Sequence, residues 1–560
     1  MNQIDLLMAH ADTGRPVLAK GLTDRDAGDQ SAPEDHRDPL HLWDEADSAN
    51  NLESQRWGVI IPEGPEGQRL LQVIDPLVKA RSAAQGGRQV TVYTTPAKMD
   101  SAQAVDWKRK LFDSGKTTSQ DLPRFLLILG DLDQVPLSIQ QVQSADAFVG
   151  RLAFDDDQGY AAYVDKLLTW EKQRSALTQA RSLMFTVHDQ TAATDSGYRS
   201  LVAPGLEVQR AQKGAGQFNA SEILELGAKD VPSPNELLAA GDRTDPAMLF
   251  TLSHGLGAPR AGWRSQEEQR RIQGAMSFGS EGRLTAEEFA NRQFLPGGVW
   301  FMLACYGAGT PETSAYHKWL SELQTVGQFR GQPDSVLAGL PKAGDWPFIA
   351  ALPKAVLKNP KGPLSFMGHV DLAWTYSFAE LDSGKADSKP GRFMDILRYV
   401  LRGDRVGVAF HELLKFFGRT NTYLTSLQSN DSGVKPGDPK LAAQLGHLWM
   451  LRQDLAGYVL LGDPAAQLPI QPKVAANEEK STQQLVDGLF PFKINIPPTP
   501  SNPADALPLP IERLEEAFAQ LFNGEGVKRV APDYELDKNT LQRLFETYRR
   551  GGRRALGIKD

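Results

Sequence analysis

Cys305 is the only cysteine among 560 residues, and it closes the apolar run Gly298-Val299-Trp300-Phe301-Met302-Leu303-Ala304 just ahead of Tyr306-Gly307. His254 closes a similar run, Met248-Leu249-Phe250-Thr251-Leu252-Ser253, and Gly255 follows it. Short apolar runs bounded by turn residues read as buried strands of a parallel sheet. In open α/β sheets ligands bind at the carboxyl ends of the strands. A thiol and an imidazole delivered to one such edge make a nucleophile and its base. The thiolate attacks a carbonyl carbon, and the imidazole takes the thiol proton and hands it to the leaving group. Singly, a lone cysteine is a small core hydrophobe, and a lone histidine is a surface or satisfied core residue. The pair carries more, because both stand at strand ends with a glycine close behind. A glycine there lets the backbone turn sharply and approach a ligand.

The elements that must hold this pair follow from apolar periodicity. Strands are expected at Trp57–Pro62, Gln89–Thr94, Phe125–Leu129, Leu183–Val187 and Tyr458–Leu461, and another over Gly362–Gly368. Residues 147–153 read as an edge strand or a loop. Helical spacing appears over 68–84, where Leu70, Leu71, Ile74, Leu77 and Val78 share a face, and over 159–173. Further helices are expected around 105–112, from near Thr285, and over 313–324, 346–357, 393–401, 406–417 and 441–455. Alternating strands and helices argue for an α/β fold with a parallel sheet and helices on both faces.

Residues 11–56 are polar and charged, and read as a loosely packed arm, with a pro-segment as the functional alternative. The stretch Gly257–Arg283 leaves the presumed active edge directly after His254 and reads as a long loop. It is either a substrate-binding or cleavable loop or a floppy insertion. It carries Arg260, Arg264, Arg270, Arg271 and Arg283, so a cut there could switch on a restrained precursor. Six prolines between Ile496 and Pro510 mark an extended linker. Beyond it Ile511–Phe522 carries an apolar stripe, a second short helix holds Leu541, Leu544, Phe545 and Tyr548, and the tail is basic. The expected organisation is an arm at 1–56, a main domain at 57–470 with the reactive pair within 247–310, a linker at 471–510 and a helical extension at 511–560.

Composition narrows the class. Apolar residues make up 41% and charged residues 23%, as in soluble globular proteins. The net charge of −8 implies no general surface for polyanions, so no nucleic-acid partner is expected. A single cysteine rules out an internal disulfide and fits a reducing compartment. Met1-Asn2-Gln3-Ile4-Asp5 lacks a basic region followed by an apolar core, and no apolar stretch approaches a membrane span. A cytoplasmic protein without a membrane partner is expected. No P-loop, G-x-S-x-G elbow or zinc-type motif is present, and neither a metal nor a cofactor is expected.

Ser253-His254-Gly255 and Ala304-Cys305-Tyr306-Gly307 resemble the catalytic segments of caspase-fold (clan CD) cysteine peptidases. Leu127-Ile128-Leu129-Gly130-Asp131 with Val149-Gly150-Arg151-Leu152 is similar to the segment ahead of that pair in the gingipain-like branch. Gly368-His369-Val370-Asp371-Leu372-Ala373-Trp374 and Leu461-Gly462-Asp463-Pro464 resemble later landmarks of the gingipain-like and CHAT branches. The histidine-to-cysteine spacing matches that of caspases. Leu303 and Tyr306, however, stand where animal caspases have glutamine and a basic or polar residue.

The resemblance implies a caspase-like, mostly parallel sheet with a helical C-terminal extension. It implies a peptidase acting on protein substrates through a Cys305–His254 dyad with no third residue. Backbone N–H groups of Gly255 and Cys305 would form the oxyanion hole. The gingipain-like branch cuts after Arg or Lys with a carboxylate at the pocket base, and Asp131, Asp133, Asp146 and Asp371 are the substrate-binding candidates. Relatives serve in bacterial defence or cell-death circuits, with an upstream activating protease as a partner. The alternative is a catalytically silent interaction module on the same fold.

Overall fold

Alternation along the strands decides how the first half of the main sheet is built. In Trp57–Pro62, Val59 and Ile61 enter one apolar cluster and Ile60 another. In Phe125–Leu129, Leu127 and Leu129 join the first cluster, Leu126 and Ile128 the second. Successive side chains of a strand point to opposite faces, so both faces here are apolar and both must be covered. Helices Ser101–Phe112 and Leu137–Gln143 cover one face through Trp107, Phe112 and Ile139. Helices Pro65–Val73, Asp75–Ala84 and Asp157–Lys172 cover the other through Leu70, Leu77, Tyr160 and Val164.

The computed structural model describes residues 3–18, 21–23, 48–112, 121–173, 177–327, 333–342, 344–382, 385–428, 439–471, 511–522, 527–534 and 536–545. They belong to two units, Met1–Lys473 and Val474–Asp560. The first unit holds a ten-stranded sheet in the order Thr91–Thr95, Trp57–Pro62, Phe125–Leu129, Phe148–Leu152, Tyr458–Leu461, Ser365–His369, Val299–Leu303, Ala247–Leu252, Ala180–Thr186, Ala220–Leu226. Tyr458–Leu461 runs antiparallel to Ser365–His369. The other pairings within each half are parallel. The fold is thus a mostly parallel α/β sheet with helices on both faces.

In the second half, one face stacks Phe250 and Phe301 against Phe393 of the helix Gly391–Arg402. On the other, Trp300 lies among Phe289, Phe294 and Phe366, and its Nε1–H donates to Thr251 Oγ1 at 3.0 Å. These aromatics fix the two strands that lead to His254 and Cys305.

Several elements differ from the sequence reading. The helix over 68–84 is two helices meeting at Ile74, because Pro76 cannot continue the first. Near Thr285 there is only a 3-10 turn, Ala286–Phe289, capped by Thr285 and Glu288. Over 346–357 the strand Phe348–Ile349 comes first and the helix is Ala351–Lys358. The stretch Gly257–Arg283 is neither floppy nor structureless. It contains the helix Gln266–Ile272, capped by Ser265, and Met276–Ser277 pairs between Gly255–Gly257 and Arg283–Leu284. Ile272, Met276 and Phe278 anchor it from inside.

The amino-terminal residues are built into this small sheet. Met8–His10 runs parallel to Gly255–Gly257 as its fourth strand, and Asp5 to Ala11 are buried. Of the polar arm, residues 24–47 lie outside the described residues, as does the proline-rich linker. In the second unit, Leu514, Phe518 and Leu521 of the helix Ile511–Phe522 pack with Val530, Tyr534, Leu541 and Leu544. Tyr548 and the basic tail lie outside the described residues. No helix among the described residues is long and apolar enough to cross a membrane.

Candidate active site

Ala247–Leu252 and Val299–Leu303 are parallel neighbours, in register from Met248 with Val299 to Leu252 with Leu303. His254 stands two residues past the end of one and Cys305 two past the end of the other, so equal overhangs bring both to one edge. Gly255 passes close against the cysteine backbone, and a Cβ there would collide with the Cys305 carbonyl oxygen. Tyr306 then takes φ of 56°, the left-handed region that costs a residue with a side chain. Its N–H donates to the Asp371 carbonyl at 2.9 Å, which holds the turn.

Cys305 and His254 are both fully buried. The Ala373 N–H donates to Cys305 Sγ at 3.2 Å, and Sγ lies 3.6 Å from the Ala373 carbonyl. Burial pushes the thiol well above its ordinary value, against the Ala373 hydrogen bond. Burial also pulls His254 below the usual imidazole value, and Asp189 partly restores it. In this closed state the pair is therefore thiol and neutral imidazole.

His254 Nε2 lies 2.9 Å from Thr191 Oγ1 and 3.7 Å from the Asp189 carboxylate. Nδ1 is buried without a hydrogen-bond partner, Cys305 Sγ included. Asp189 is fixed in turn, its Oδ1 accepting from the hydroxyls of Thr191 and Thr194 at 2.8 and 2.7 Å. Sequence reasoning assigned no third residue and passed over Asp189. The signal was available in outline, since Asp189 stands three residues past Ala180–Thr186. That strand proves to be the histidine strand's other neighbour, with Thr186 opposite Leu252. Asp189→Asn should cost roughly 10²-fold in kcat/KM if His254 is the base, because the ring loses its orienting charge. The sign of the pH effect follows from the electrostatics. Asp189 holds the His254 value up, so its loss lowers that value and moves the acid limb of the rate profile to lower pH. An unmoved limb in a pH–rate measurement would leave Asp189 a purely structural role.

The N–H groups of Gly255 and Cys305 converge. Both donate to one oxygen, the Leu7 carbonyl, each at 3.0 Å. The Leu7 N–H donates back to Ala373 at 3.3 Å, and Leu6 pairs antiparallel with Trp374. The site is therefore covered by the chain's own amino-terminal segment, which sequence reasoning also missed. Its signal was the apolar run Ile4 to Ala9, interrupted only by Asp5.

The four aspartates separate. Asp371 accepts from Ser314 Oγ, Ala315 N–H and Leu372 N–H, each at 2.8 Å, and burial still pushes it up to about 6. It connects to the cysteine turn through its own carbonyl. Asp131 accepts from Ile349 N–H at 2.6 Å and pairs with Lys354 at 2.7 Å. Ile349 in turn pairs with Gly309, four residues past Cys305, and Arg270 lies 3.5 Å from the Asp131 carboxylate. Asp133 lies beside Asp131 and is raised by burial and by that neighbour's charge. Both line a cavity of about 240 Å³ with Glu66, Asp155, Asp156 and Arg270. Asp146 precedes Phe148–Leu152 and is paired with Lys108 at 2.7 Å. It sits at the amino end of a strand whose parallel neighbour carries Asp131 at its carboxyl end, so the structure does not bring the two together.

His369 is buried between the carbonyls of Asp371 and Asp454, a structural position. Asp454 in turn accepts from Trp374 N–H and Ser377 N–H, both at 2.9 Å. It thereby holds the loop that carries Ala373 against the thiol.

No family model and no curated protein matches the chain. Among solved structures it is similar to one described as a protease, at 13% identity over 73% of this chain and 78% of that one, with a TM-score of 0.42. It is similar at 13% identity to the Arg-specific cysteine proteinase gingipain R (RgpB), over 77% and 80% of the two chains, with a TM-score of 0.40. A complex of the RgpB pro- and mature domains from Porphyromonas gingivalis matches at 13% identity over 74% and 79%, with a TM-score of 0.37.

Proposed function

We propose that this chain is a cysteine endopeptidase acting on protein substrates, with Cys305 as nucleophile and His254 as base. What carries the reading is the convergence of the Gly255 and Cys305 N–H groups on one carbonyl oxygen, each at 3.0 Å, beside a thiol. Two fixed donors aimed at one point stabilise an oxyanion there without reorganising. Sγ adds to the substrate carbonyl carbon, and His254 Nδ1 takes the thiol proton and delivers it to the leaving amine. Water then hydrolyses the thioester.

A basic residue before the cut, which the resemblance implies, needs a carboxylate free to meet it. Asp131 and Asp146 are paired with lysines, and Asp371 is taken up by three donors. Asp133, the fourth candidate, lines a cavity whose walls include neither Cys305 nor His254, so the proposed function is peptide-bond hydrolysis and Arg or Lys selectivity forms no part of it. The full burial of Cys305 means that the covering chain must move or be cut before turnover, which suits a restrained precursor. The same burial is the one observation in favour of a silent interaction module. Turnover of denatured casein and of fluorogenic peptides, with and without prior thiol alkylation, decides between the two. Turnover that survives complete alkylation of Cys305, or no turnover in any preparation, overturns the peptidase reading.

A further inference from the structure

Leu7 occupies the place a scissile residue would take. Its carbonyl oxygen receives both converging N–H groups, one from beside the base and one from the nucleophile itself. On one side, its N–H donates to Ala373 and Leu6 pairs antiparallel with Trp374, so the chain ahead of the carbonyl lies along the loop that holds the thiol. On the other side, Met8–His10 continues as a strand on Gly255–Gly257, and Met8 packs against Gly257 where a Cβ would stand. The segment is anchored further along by Val17 N–H to the Met8 carbonyl at 2.9 Å and by Arg283 to the Ala11 carbonyl at 2.9 Å. Extended chain clamped on both sides of a carbonyl is how a β-augmenting peptide binds. Leu7 itself is fully buried, its aliphatic side chain part of the main apolar cluster.

We propose that residues 5–8 are a tethered substrate that closes the cleft, and that the site selects leucine immediately before the cut. The inference rests on the peptidase reading and names its substrate class. The bond at stake is Leu7–Met8. Sγ would add to the Leu7 carbonyl carbon, with its electron pair moving to the oxygen held by Gly255 and Cys305. Collapse breaks the C–N bond, and the Met8 nitrogen leaves with the proton that His254 took from the thiol. Water then splits the thioester, releasing the Leu7 carboxylate and restoring the thiol. The strand from Met8 onward keeps its own pairing with Gly255–Gly257, so only the residues ahead of it need to leave.

The test uses the full chain with two alkylating peptides, N-acetyl-Ile-Asp-Leu-Leu-chloromethyl ketone and its counterpart ending in Arg. Labelling of Cys305 is read by intact mass and peptide mapping in wild type, Leu7→Met and Leu7→Glu. The leucine reagent should label wild type at least about tenfold faster than the arginine reagent. Leu7→Glu should raise the leucine reagent's rate by about tenfold or more, because the internal competitor is weakened, while Leu7→Met stays near wild type. The reagent comparison in wild type needs no variant to fold, and melting curves check the variants. Arginine labelling as fast as leucine, or a Leu7→Glu rate equal to wild type, overturns this proposal and leaves the peptidase reading standing. No labelling and no peptide turnover in any of the three proteins overturns both.

Discussion

Cys305→Ala should lower peptide hydrolysis by about 10⁶-fold, and His254→Ala by nearly as much. The two act on one proton and one bond, so the double variant should be little worse than either single one. That non-additivity separates a catalytic pair from two residues that merely support the fold. Both side chains are fully buried, so each truncation also leaves a small cavity, and melting curves must accompany the rates. Steady-state turnover of one fluorogenic peptide by the three variants is enough. Losses that multiply in the double variant would mean that the two residues act independently and that the pairing is wrong.

Gly255→Ala should cost about 10²–10³-fold in kcat, the usual worth of one oxyanion donor. The position leaves no room for a methyl group, since a Cβ would collide with the carbonyl oxygen of Cys305. That obstacle is backbone and cannot swing aside as a side chain would. One strand must move away from the other, which separates the two N–H groups that now meet on one oxygen. KM should change less than kcat, because the donors matter most once charge develops on the oxygen. A Gly255→Ala protein with an unchanged kcat would show that these two N–H groups do not serve the reaction.

Much of this architecture is legible in the sequence, and the reasons are local. Phe125–Leu129, Met248–Leu252 and Val299–Leu303 are short apolar runs between turn residues, and burial on both faces leaves them little choice but the sheet. The positions of His254 and Cys305 follow directly, since each overhangs its run by the same length. What could not be read depends on which elements become neighbours. Ala220–Leu226 is an edge strand interrupted by the polar residues Ser221, Glu222 and Glu225, so it lacks the continuous apolar run of the inner strands. Asp189 acquires meaning only when Ala180–Thr186 is known to lie beside the histidine strand. The aspartates could not be ranked by sequence either. Their partners, such as Lys354 for Asp131 and Lys108 for Asp146, come from distant helices.

The amino-terminal segment is the plainest case. Its apolar residues are visible at once, but a run this short has no periodicity that says where it docks. Its partner Gly255 lies far along the chain, and the contact forms through backbone groups that every residue possesses. Likewise, the stretch from Gly257 to Arg283 is polar enough to read as loop. It is ordered by a few inward residues, Ile272, Met276 and Phe278, and by the strand pairing of Met276–Ser277.

A covalent bond between substrate and Cys305 is the step on which the proposed hydrolysis depends. The direct measurement is to mix the full chain with N-acyl leucine and N-acyl arginine esters in parallel and quench with acid during turnover. The protein is then digested and the acyl mass located by mass spectrometry. The acyl group is expected on the peptide that contains Cys305, with no such adduct in Cys305→Ala. Turnover of either ester by wild type with the acyl group on another residue, or with Cys305→Ala as active as wild type, would contradict it.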